Sequence, residues 1–67
     1  MATITVKAAR VNAGKTQQEV ADAMGVHVQT YGRIEKNPED MSIKEAKKFA
    51  DIVGVNWLDL SYVCNSN

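Results

Sequence analysis

Four side chains in one short stretch, Val28, Gln29, Thr30 and Arg33, are of the types that read flat hydrogen-bonding edges. An amide holds donor and acceptor side by side and matches adenine, a guanidinium forks onto guanine, and the methyls of Val28 and Thr30 suit a thymine methyl. These are the outward residues of the helix that Val28 to Lys36 would form, because Tyr31 and Ile34 occupy its packing side. The plain alternative is a merely solvated helix face.

Catalytic chemistry has no comparable set. No nucleophile stands with a base, no carboxylate pair suggests acid–base work, and no glycine loop suits a phosphate. One histidine, His27, and one cysteine, Cys64, cannot supply the four ligands of a usual metal site, and a single cysteine excludes an internal disulfide. The sequence predicts neither an enzyme nor a metal, cofactor or small-molecule site. Phe49 and Trp57 sit at helical spacing and read as core.

The elements that position the four side chains follow from local signals. Val20, Ala21, Met24, Val26, Tyr31 and Ile34 fit neither one long helix nor a strand, but they fit two short helices meeting at an angle. Thr16-x-x-Glu19 is a capping box that starts the first of these at Gln17, and Gly25 ends it by taking a left-handed conformation. The second runs from about Val28 to Lys36, with His27 a weak cap at its start and Asn37 a left-handed terminator before Pro38. Tyr31 is large enough to point its hydroxyl outward, and Gly32 in mid-helix costs roughly 1 kcal/mol relative to alanine.

Around this pair the sequence predicts three further helices. An opening helix from about Thr5 to Ala13 turns Val6 and Ala9 inward, with Ala13 and Val11 as further candidates, and Gly14 closes it. Ser42-x-x-Glu45 is a second capping box, starting a helix at Ile43 that ends at Gly54 and buries Ile43, Ala46, Phe49, Ala50 and Val53. Asn56 caps a short fifth helix containing Trp57 and Leu58, with Leu60 as a further candidate, and the chain is expected to fray after about residue 61.

Counted from Gln17, the central pair has a small residue at the fifth place (Ala21), glycine at the ninth (Gly25), and apolar residues at the fourth, eighth, tenth, fifteenth and eighteenth: Val20, Met24, Val26, Tyr31 and Ile34. This pattern resembles the helix-turn-helix of the lambdoid phage repressor and Cro family, also called the Xre family. The run Phe49-Ala50 to Gly54-Val55-Asn56-Trp57-Leu58 resembles the same family's fourth-to-fifth helix junction, so the resemblance spans roughly Val6 to Leu60. It implies an all-α bundle of five short helices, a single lambda-repressor-like domain over residues 1–67 with its helix-turn-helix at about 17–36. It also implies a structural ion pair between Arg10 and Glu35.

The expected partner is double-stranded DNA, with the second motif helix in the major groove and the first lying across the backbone. Val28, Gln29, Thr30 and Arg33 would then read bases. Gln17, at a first helical position where free N–H groups and its amide can grip one phosphate, would join Lys7, Arg10, Lys15, Lys36 and Asn37 on the backbone. One such domain covers too little DNA for regulation, so a homodimer on operator half-sites about 34 Å apart is expected, joined through Leu58, Leu60, Tyr62 and Val63.

Composition bounds the reading. With 67 residues the chain has room for one small core. Net charge is zero, unlike most nucleic-acid binders, yet Lys7 to Lys36 carries five basic against three acidic residues, and the remainder to the C-terminus three against five. The basic excess lies with the motif. Neither an apolar leader at Met1 to Val6 nor a run of about 20 apolar residues is present, so a soluble, cytoplasmic protein is expected. The expected function is a phage or prophage repressor-like transcriptional regulator. The rival is a protein-interaction adaptor, antirepressor or antitoxin-like, that keeps the fold without specific DNA binding.

Overall fold

The computed structural model describes residues 3–62. Its elements are α1 (Val6–Asn12), α2 (Gln17–Met24), α3 (Val28–Lys36) and α4 (Ile43–Val53), with 3-10 turns at Pro38–Asp40 and Trp57–Asp59. Val63 and Cys64 lie outside the described residues.

Each helix starts where a side chain accepts a free backbone N–H. Thr16 Oγ1 accepts from the Glu19 N–H at 3.1 Å while Glu19 Oε1 accepts from the Thr16 N–H at 2.8 Å. Ser42 and Glu45 repeat the exchange at 3.1 and 3.0 Å. Thr5 caps α1 through the Ala8 N–H, so that helix begins one residue later than expected. His27 is a better cap than the sequence suggested, since its Nδ1 accepts from the Gln29 N–H at 3.1 Å. Gly25 and Gly54 take φ of +75° and +78° at the ends of α2 and α4.

The helices are amphipathic around one cluster. Val6 and Ala9 of α1, Val20, Ala21 and Met24 of α2, Tyr31 and Ile34 of α3, and Ala46, Phe49 and Ala50 of α4 are buried together with Met41 and Leu60. α2 packs on both α3 and α4, and α1 meets α3. Ala21, fully buried, lets the axes approach. The Tyr31 and Phe49 rings stack with centroids 6.1 Å apart.

Several expectations are corrected. The fifth helix is a single 3-10 turn, because after Leu58 and Asp59 the chain extends to form a parallel bridge between Leu60 and Ile4. Asp59 O accepts from the Ile4 N–H at 3.0 Å, and the Ser61 N–H donates to Ile4 O at 2.8 Å. Ser61 and Tyr62 are held in this way, Tyr62 Oη donating to Trp57 O at 2.6 Å, and the tail expected to fray beyond them lies outside the described residues. Leu60 is only 3 % exposed, which removes it from the candidate dimer surface.

Ile43 is 63 % exposed rather than buried, and Val11 is 55 % exposed. Met41, just before the cap, and Ala46, four places into α4, close the face that Ile43 was expected to fill; this is the hydrophobic staple geometry. Asn37 has φ of −132°, so α3 ends without a left-handed residue. The Tyr31 hydroxyl points inward, and the whole side chain is buried.

Candidate nucleic-acid interface

α3 presents the outward residues that the sequence singled out. Gln29, Thr30 and Arg33 are exposed, while Val28 is half-buried and packs partly on the core. An open groove of about 690 Å³ runs along one flank of α3, where it meets α1 and the start of α2. Val28, Gln29, Gly32, Arg33, Glu35 and Lys36 border it from α3, Lys7 from α1 and Gln17 from α2. The structure thus brings Gln29 and Arg33 to the same trough as Lys7, Lys36 and Gln17.

Other expected contacts lie elsewhere. Thr30 and Asn37 border a second, smaller cleft on the opposite flank, which Arg33 also touches. Arg10 is turned inward. Its Nε donates to Glu35 Oε2 at 2.6 Å and its Nη1 to the Lys15 carbonyl at 2.9 Å, leaving its side chain 12 % exposed. That geometry clamps the end of α3 to the α1–α2 connection, and it argues against Arg10 as a phosphate ligand. Lys15 borders neither cleft and contributes its carbonyl to the clamp.

Glu35 is the centre of this arrangement, with its side chain 7 % exposed. Besides Arg10, Gln17 Nε2 donates to its Oε1 at 2.9 Å, and the Tyr31 hydroxyl lies close by. Burial alone would raise the Glu35 carboxyl, but the donors converging on it and the charge of Arg10 hold it below the ordinary carboxylate value. The carboxylate in the groove wall is therefore ionised and already paired. The Gln17–Glu35 hydrogen bond was not visible in the sequence, since its partners are 18 residues apart and no motif position links them.

Gln17 is the first residue of α2, so its backbone N–H lacks a helical partner. Of its two amide hydrogens, one goes to Glu35 and the other remains for the groove. The groove can accordingly hold an anion between Gln17, Lys7 and Lys36, beside the side chains that suit base edges. Among the described residues no group of three or more His, Cys, Asp or Glu side chains is placed to bind a metal, and no helix is long and apolar enough to cross a membrane.

Comparison with known proteins adds one match. A family described as helix-turn-helix matches residues 6–60, a span that holds all four helices. No curated protein and no solved structure matches the chain. The chain therefore belongs to the helix-turn-helix family of DNA-binding regulators of the Xre, Cro and C1 repressor type.

Proposed function

We propose that the chain is a sequence-specific transcriptional regulator of phage or prophage Cro or repressor type, laying α3 in the major groove of operator half-sites. The observation that carries this reading is the exposure of Gln29, Thr30 and Arg33 on a helix flanked by Lys7, Gln17 and Lys36. Gln29 and Arg33 read bases, with Thr30 and the exposed part of Val28 offering methyls. Lys7, Gln17 and Lys36 hold one backbone; Asn37 lies on the other flank beside Asp40 and Glu45 and makes no phosphate contact in this reading.

Binding as a homodimer supplies the second half-site. Leu58, 66 % exposed, and the half-buried Tyr62 are the described residues proposed for the dimer surface, and Ile43 adds an exposed aliphatic side chain.

The test is binding to random duplex at low salt, then to a duplex selected from a random pool. A DNA reader shows nonspecific affinity that vanishes with added salt, whereas a protein adaptor shows none. On the selected duplex, Arg33→Ala should lose about 1 to 3 kcal/mol and discrimination at one base pair. Unchanged preference at every position would remove Arg33 from the reading set.

A further inference from the structure

α3 is a ridge between two depressions, and Arg33 borders both. On the first side stand Lys7 and Lys36, and the carboxylate there, Glu35, is engaged by Arg10 and Gln17. The second side is a cleft of about 200 Å³ bordered by the acidic residues Asp40 and Glu45, with Arg33 as the one cation among its described lining residues. Asp40 is exposed in the 3-10 turn after α3, and Glu45 is fixed there by its hydrogen bond to the Ser42 N–H.

A helix lying in the major groove has a phosphate strand along each flank. The first flank offers cations to its strand, and the second offers carboxylates. Within a Debye length of about 10 Å such charges are not screened away, so one strand is attracted and the other repelled. We propose that this chain grips DNA from one wall only. Phosphates are held along Lys7, Gln17 and Lys36, the strand passing Asp40 and Glu45 is left without contacts, and Arg33 reaches the base edges between the two. This rests on α3 being the DNA-reading helix and adds which strand is held.

The experiment uses the full chain on a duplex that it selects from a random pool, reading phosphate-ethylation interference and the salt dependence of binding. Two variants accompany it. Asp40→Asn with Glu45→Gln neutralises the cleft while glutamine keeps the acceptor for the α4 cap, and Asp40→Lys reverses the charge. The wild type should show interference along one wall only. The neutralised variant should bind more tightly, and Asp40→Lys should gain interference on the second wall and steepen the salt slope by about 0.9 per phosphate gained. Wild-type interference on both walls, or an unchanged slope and pattern in Asp40→Lys, overturns the one-wall grip while leaving DNA binding intact. Absence of any duplex binding by the wild type at low salt overturns the DNA-reading function itself and this inference with it.

Discussion

Tyr31 carries a buried side-chain oxygen that completes no hydrogen bond, although it lies beside the Arg10–Glu35 pair. Burial first, and then the Glu35 carboxylate, push its ionisation well above the ordinary 10.0. An unfolded chain would release this proton near pH 10 while the folded chain keeps it. The stability contribution is therefore complete below pH 10 and lost as pH rises above it. Tyr31→Phe keeps the ring stacked on Phe49 and removes an oxygen with no complete bond, so melting at pH 7 should be unchanged or up to about 1 kcal/mol more stable. The loss of stability above pH 10 should shrink in the variant; a large drop at pH 7 would show instead that the hydroxyl holds Glu35 in place. Sequence pattern placed Tyr31 in an apolar slot of the motif but could not orient its hydroxyl, because the polar neighbours that draw it inward come from α1 and the far end of α3. The Arg10–Glu35 pair came from family resemblance, and the third party, Gln17, from geometry alone.

At the scale of elements, the same substitution should act in opposite directions at two glycines. Gly25 sits at φ of +75° where α2 must stop, and nothing crowds the place of a Cβ, so Gly25→Ala meets a backbone penalty of about 1 to 2 kcal/mol rather than a clash. Gly32 has an ordinary helical backbone inside α3 and nothing within 4 Å of where a Cβ would go, so Gly32→Ala should stabilise by about 1 kcal/mol through helix propensity. Paired thermal melts check this, and equal shifts would mean that α2 tolerates another ending. Capping boxes and terminal glycines made α2 and α4 readable to within a residue, because those signals are local. Ile43 was misread because periodicity gives the facing of a side chain and not what fills that face; Met41 and Ala46 already do. The last helix was misread for a related reason. Asn56 does cap, with its Oδ1 accepting from the Leu58 N–H at 3.0 Å, but the bridge to Ile4 takes the chain after one turn.

For the whole molecule, that bridge changes what the C-terminal leucines do. Ile4 and Leu60 close the fold by pairing the start of the described chain with its end, and Leu60 joins the cluster built from all four helices. A chain of 67 residues has a small core, and Leu→Ala in such a core costs about 2 to 5 kcal/mol, of the order of the entire stability of a small domain. Leu60→Ala should therefore leave a substantial unfolded fraction at room temperature. Leu58, two residues away and 66 % exposed, should cost almost nothing on truncation. If the proposed dimer uses the surface carrying Leu58, Leu58→Ala should leave the melting of the dilute chain intact while shifting sedimentation toward monomer and flattening cooperative occupancy of paired half-sites. The two variants separate folding from assembly on neighbouring residues. Melting and sedimentation that both stay at wild-type values in Leu58→Ala would move the dimer surface elsewhere, and an unaltered melt in Leu60→Ala would show that the closure between the chain's two ends adds little to the fold.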